Sequence, residues 1–315
     1  MLDRRAILLK IAALGWDAAD YWLITGAAMV LHGAKDVTRD IDMGVTTALA
    51  NRLIRAGANW SGEPGARKIE LDGDIELFEN WRAGEIVTLA CVPALSLEGI
   101  VEMKTALGRS KDARDIALIR ALQNPKTTRV YFVRHARPNY ENHDDARREL
   151  TARGLAERHL AVDFLRDKNV SAVLSSPYAR AADTVKPLAD ALGVAVEYVD
   201  GFRERRVDSC WIPDFDNFAR RQWADFDYKL SDGESLAEVE KRNVAALRGV
   251  LARHAGETVA VGAHGTALST LIHFYDPTFG FEDFMELRPR MPWIAKFTFD
   301  GESCVGIEKI DVMGG

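Results

Sequence analysis

At 315 residues, 47% hydrophobic and 28% charged, the chain has the composition of a globular protein and enough length for two domains. A formal net charge of −6 excludes the global basic footprint that non-specific nucleic-acid binding needs, and leaves room only for a local basic pocket. Three widely separated cysteines, Cys91, Cys210 and Cys304, form neither a disulfide framework nor a zinc spacing, and suit a reducing cytoplasm.

The chain opens with MLDRRAILLKIAALGW, a basic start followed by apolar residues. Lys10 interrupts the apolar stretch and Asp17 and Asp20 follow it, so an amphipathic first helix is expected rather than a leader. No window is apolar over the length needed to span a bilayer, and a cytoplasmic location is expected.

Next comes LITGAAMVLHGAKDVTRDIDMGVTT. A turn at Gly26 leads into a helix through Met29 and Leu31, and a strand is expected to carry Asp40 and Asp42. Side chains alternate along a strand, which puts both carboxylates on one face. Two carboxylates side by side repel unless solvent screens them or a cation lies between them, and hard oxygen ligands suit Mg²⁺. Downstream, KIELDGDIELF reads as a hairpin with Asp72-Gly73 in its turn and Glu76 on its second strand. The glycine turn, Asp-x-Asp and later acid resemble the nucleotidyltransferase fold in its small antitoxin-like and AbiEii-like branch. The segment EMKTALGRSKDARDIALI resembles that branch's helical Lys-Asp-x-x-Asp region. The resemblance implies Asp40, Asp42 and Glu76 as metal ligands, Gly26, Lys104 and Lys111 as nucleotide contacts, and Mg²⁺ with an NTP as cofactors. Ala27 stands where the family carries Gly or Ser, which removes a hydroxyl. Two other readings stay open: acids that merely flank a surface strand, and a fold that persists as a sensor or recognition module.

A helical pattern carrying Ile116, Ile119 and Leu122 ends at LQNPKTTRV, where Pro125 follows Asn124. The expected division is a smaller α/β (α+β) domain over 1–126 and a second domain over 127–315. In the second, RVYFV precedes a helix over LTARGLAERHLAVDFL, capped by Thr151 with Ala156, Leu160 and Phe164 on one face. SAVLSS, a helix through ADTVKPLADALG, VAVEYV, a long helix through SLAEVEKRNVAALRGVLARHA, and TVAVGAHG follow. This alternation predicts a mainly parallel sheet with helices on both faces.

Ligands bind such sheets outside the carboxyl ends of the strands. Arg134 and His135 leave the first strand there, Arg180 opens the helix after the second, and His264 ends TVAVGAH. Convergent guanidiniums suit phosphate oxygens, and a neutral imidazole can attack phosphorus. The order RHA, SPYARA, FRE, DGES, AHG resembles the histidine phosphatase superfamily, with its three-layer α/β/α phosphoglycerate mutase-like fold. That resemblance implies His135 as nucleophile, Arg134, Arg180 and His264 as the phosphoryl clamp, Glu204 as acid and base, and no metal. Ala136 and Arg137 depart from the family's Gly-Glu or Gly-Gln, which favours hydrolysis over mutase chemistry. Val207 to Ser235 is expected to form a substrate cap. The expected substrate is a small phosphorylated metabolite or nucleotide, with no membrane partner. A phospho-ligand-binding pseudoenzyme is the alternative from a different class.

Overall fold

The computed structural model describes residues 1–313 apart from Asp72, Pro125, Cys210, Trp211 and Pro213. The chain divides into two compact units, Met1–Pro125 and Lys126–Gly315, one residue from the expected boundary.

The first unit begins with β1 (Leu2–Asp3) and α1 (Arg4–Leu14). Asp3 caps this helix by accepting a hydrogen bond from the Ala6 amide at 2.7 Å. There follow β2 (Tyr21–Leu23), α2 (Thr25–His32), β3 (Val37–Thr38), β4 (Ile41–Val45), α3 (Thr47–Arg55), β5 (Asn59–Ser61), β6 (Lys68–Glu70) and β7 (Ile75–Glu79). Then come β8 (Ile86–Leu89), β9 (Val92–Leu95), α4 (Leu97–Leu107) and α5 (Ser110–Gln123). Among the described residues the main sheet has the order β5-β6-β7-β4-β2-β9-β8. Ile41, Met43 and Val45 alternate into the core with Ile75 and Leu77, as a half-buried sheet requires. The hairpin expected over KIELDGDIELF is β6–β7, with Ile69 opposite Leu77; Asp72 lies outside the described residues. Asp40, by contrast, precedes β4 and is exposed, so the same-face argument does not reach it.

The second unit runs β10 (Thr127–Arg134), α6 (Ala152–Leu165), β11 (Ala172–Ser175), α7 (Ala179–Leu192), β12 (Val196–Tyr198), α8 (Phe215–Ala224) and α9 (Leu236–Arg253). It ends with β13 (Thr258–Ala263), α10 (Gly265–Tyr275), α11 (Phe281–Leu287), β14 (Trp293–Asp300) and β15 (Ser303–Ile310). The sheet order is β12-β11-β13-β10-β14-β15. β12, β11, β13 and β10 are parallel, and β14 and β15 add an antiparallel edge that the alternating pattern did not announce. Both faces of β10 are covered. Tyr131 meets Phe164 of α6 at 6.4 Å between ring centroids, while Phe132 meets Phe202 and Phe297 at 5.5 and 5.4 Å. Thr151 caps α6, but the buried stripe is Gly154, Ala161, Val162 and Leu165; Ala156 and Leu160 face solvent. The reason is close approach. A Cβ on Gly154 would stand 2.2 Å from the Arg137 carbonyl oxygen, so only this face of the helix can lie against that segment.

Candidate active site

Three strand ends are brought level by register. Arg134 pairs with Ala263 across the parallel β10–β13 ladder, and Ser175 of β11 pairs with Gly262 of the same strand. Beyond the ladder the His135 amide donates to the Ala263 carbonyl at 3.0 Å and the Ser176 amide to the Gly262 carbonyl at 2.9 Å. These bonds fix the three exits relative to one another, which is why Arg134, His135, Arg180 and Glu204 line a single cavity of about 540 Å³.

His135 is buried, and its ring centroid lies 5.3 Å from that of His264. Its Nδ1 is 2.8 Å from the Ala136 carbonyl oxygen. A carbonyl only accepts, so Nδ1 carries the proton and Nε2 keeps its lone pair. Burial, then the Arg180 and Arg134 guanidiniums, hold the ring well below the ordinary imidazole value. Burial, then Arg180 and then His135 hold His264 well below it too. His264 Nε2 lies 2.7 Å from the Ser176 hydroxyl.

Arg134 is anchored from behind. Its Nη1 donates to the carbonyls of Leu287, Arg288 and Arg290 at 2.9, 2.8 and 2.9 Å. Burial lowers this guanidinium to about 10, and it stays a cation at neutral pH. Its Nε is buried without a hydrogen-bond partner among the described residues, as is Nδ1 of His264. Buried polar atoms of this kind lack the partners that a folded interior normally supplies, and an oxygen-rich ligand would satisfy them. Gly265 makes room for the side chain, since a Cβ there would stand 3.1 Å from Arg134 Nε.

Glu204 sits at the start of α10. Its Oε2 accepts from the Thr266 amide and its Oε1 from the Ala267 amide, each at 3.1 Å, and Oε1 also accepts from Arg205 N at 2.8 Å. The helix N-terminus supplies the Thr266 and Ala267 donors because its first amides have no intrahelical acceptor. The DGES segment explains how the Glu204 loop is held. Glu234 pairs with Arg242 at 2.8 Å, and Arg242 donates to the carbonyls of Gly201, Arg203 and Glu204 at 3.0, 2.7 and 3.1 Å. The next residue, Ser235, caps α9 in a box with Glu238.

The structure adds site residues that motif reading missed. Asp145 and Arg148 enter the cavity from the segment between β10 and α6, and Ser176 holds His264. The run ENHDDARREL was dense in charge, but nothing in its spacing said which charges face inward. Of the expected cap, Val207, Asp208, Ser209, Ile212 and Phe215 line the cavity. Trp223 instead packs among Phe226, Phe279 and Phe284, and Trp211 lies outside the described residues.

In the first unit the expected residues fare differently. Asp42 and Glu76 are direct neighbours across the parallel β4–β7 ladder. Asp42 accepts from the Thr25 hydroxyl at 2.5 Å, and burial raises its carboxyl, opposed by that bond and reinforced by Asp40 and Glu76. Glu76 is engaged by Lys68 at 2.8 Å. Among the described residues no group of three His, Cys, Asp or Glu side chains is arranged to hold a metal ion. Lys104, expected as a nucleotide contact, is buried and paired with Asp112 at 3.2 Å and Asp115 at 2.5 Å, because a buried ammonium needs carboxylates beside it. Gly26 serves packing: a Cβ there would lie 2.4 Å from Thr38 Oγ1. Lys111 is exposed, and its charge reaches Asp42.

Residues 130–304 match the family model of the histidine phosphatase superfamily, branch 1. Similar curated proteins include the probable phosphoglycerate mutases GpmB of Yersinia pestis (strain Pestoides F) and Yersinia pseudotuberculosis serotype O:1b. Each is 27% identical over 157 residues, covering 45% of this chain and 72% of the relative. Among solved structures, a mycobacterial glucosyl-3-phosphoglycerate phosphatase is 18% identical with a TM-score of 0.47, covering 58% of this chain and 97% of its own. A phosphoserine phosphatase mutant from Entamoeba histolytica in complex with phosphoserine is 17% identical with a TM-score of 0.49, covering 58% and 96%. The family model spans more than half of the sequence, and it does so over the strands that deliver His135, Arg180, Glu204 and His264. This chain belongs to the histidine phosphatase superfamily.

Proposed function

We propose that the protein hydrolyses phosphomonoesters of small metabolites or nucleotides through a phosphohistidine on His135. One observation carries the reading. A buried imidazole, kept neutral with its Nε2 lone pair available, shares a cavity with two arginines that can hold phosphoryl oxygens. Nε2 attacks phosphorus as the ester P–O bond breaks, and Glu204 gives its proton to the departing oxygen. Water then attacks phosphorus, Glu204 takes a proton from it, the P–N bond breaks, and inorganic phosphate leaves. Arg134, Arg180 and His264 stabilise the negative charge that spreads over the equatorial oxygens. Hydrolysis is favoured over transfer to a second acceptor by the residues after the nucleophile. Ala136 carries no polar side chain, and the Arg137 guanidinium lies beside Glu157 at 4.0 Å.

A test is phosphate release from a panel of phosphomonoesters by wild type and His135→Ala. Loss of turnover by at least about a thousandfold in the variant, with inorganic phosphate still bound, is the expected result. Equal turnover by the variant rejects the phosphohistidine.

For the first unit we infer a recognition module rather than a nucleotidyltransferase. Supporting this are Lys104, committed inside an ion-pair network, and Glu76, committed to Lys68. Pyrophosphate release from an NTP with Mg²⁺ and any acceptor would overturn it.

A further inference from the structure

Arg180 and Arg148 are both buried and both line the cavity that holds His135, although they come from different segments. Two guanidiniums this close repel, and a low-dielectric wall strengthens the repulsion. Asp145 stands between them. Its Oδ1 lies 3.1 Å from Arg180 Nη2 and 3.0 Å from Arg148 Nη1, and its backbone carbonyl accepts from Arg180 Nη1 at 2.5 Å. Asp145 thus grips the Arg180 guanidinium at two points, one through its carboxylate and one through its backbone carbonyl, and the carboxylate ties Arg148 to it. Arg148 is steadied in turn by donating from Nε to the Asn142 carbonyl at 2.7 Å. The segment itself is held independently of Asp145. The Ala179 amide at the head of α7 donates to the Ala146 carbonyl at 3.0 Å, and Glu149 accepts from Asn139 and Asn142 at 2.6 and 2.7 Å.

We propose that Asp145 is a positioning residue for phosphoryl binding: it bridges Arg148 and Arg180 and holds the Arg180 guanidinium in its pose beside His135. The proposal rests on the phosphohistidine reading for its purpose but not for its test. A carboxylate in an anion pocket has an obvious alternative role, as a competitor that occupies the arginines until phosphate displaces it. The two roles differ in sign. Removing a competing negative charge tightens phosphate binding. Removing a positioning group weakens it, even though the pocket becomes more positive, because a guanidinium held only by the Asp145 backbone carbonyl is free to turn its planar fork of donors away from the phosphoryl site.

The experiment is calorimetric titration of the full chain with inorganic phosphate, for wild type, Asp145→Ala and Asp145→Asn. Asp145→Ala is expected to weaken binding by about tenfold, at the scale of a lost charge-assisted contact. Asp145→Asn keeps an acceptor at the Oδ1 position and is expected to fall between the two. Thermal melting of both variants within a few degrees of wild type separates this effect from a general loss of fold. Unchanged or tighter phosphate binding in Asp145→Ala overturns the proposal, and so does absence of phosphate binding by wild type. Phosphate binding that weakens as expected, in a protein that hydrolyses no ester, upholds the positioning role and rejects the phosphatase reading.

Discussion

At the scale of single residues, chemistry is set by how each group is partnered. His135 and His264 are buried among cations, and both are held well below the ordinary imidazole value by burial first. An unfolded chain binds protons at these positions near pH 6.5 while the folded chain does not. Stability from both is therefore fully present above that pH and is lost as pH falls through it toward the depressed folded values. The melting midpoint is expected to drop as the medium is acidified below pH 6.5, while the ring resonances of these two histidines in the native protein stay unmoved through that range. Ring resonances that titrate near 6.5 would contradict the burial argument. Glu204 yields a second prediction. Because its carboxyl is the group proposed to give a proton to the leaving oxygen, Glu204→Gln is expected to slow poor leaving groups by about a hundredfold and aryl phosphates far less. Equal slowing across both classes would remove Glu204 from the acid role.

At the scale of elements, two glycines three residues apart have different duties. Gly262 lies inside β13, where a Cβ would meet Ser175 Oγ at 2.6 Å and the Ala181 carbonyl oxygen at 2.8 Å. Backbone cannot give way as a flexible side-chain tip can, so Gly262→Ala is expected to destabilise the second unit by about 1–3 kcal/mol, read as a lower denaturation midpoint. Gly265 begins α10 against the Arg134 guanidinium. Gly265→Ala is expected to displace that side chain and lower turnover about tenfold with little change in melting. The helices themselves were readable from local signals, among them Thr151 before α6 and the proline after α5. Which face of α6 turns inward was misjudged: the spacing pointed to Ala156, Leu160 and Phe164, whereas Gly154, Ala161, Val162 and Leu165 are buried, with Gly154 close against the Arg137 carbonyl.

For the molecule as a whole, the two units carry unequal amounts of chemistry. Asp42→Asn combined with Glu76→Gln is expected to leave phosphomonoester hydrolysis unchanged, measured as phosphate release, since the reacting groups all lie in the second unit. Loss of turnover in a well-folded double variant would show that the first unit takes part in the reaction. Among the described residues no helix is long and apolar enough to cross a membrane. The amino-acid sequence alone determined the strand-and-helix alternation from β10 to β13 and the order of the phosphatase motifs, because both are local properties of spacing and side-chain type. It also placed Asp42 and Glu76 on strands, but not their commitments. Tertiary structure decided that Lys104 is sealed between aspartates, that Glu76 answers to Lys68, and that Asp145 joins Arg148 to Arg180. An ion pair depends on where two distant segments come to rest, and a charged residue looks the same in sequence whether its partner is solvent, a ligand or another part of the chain.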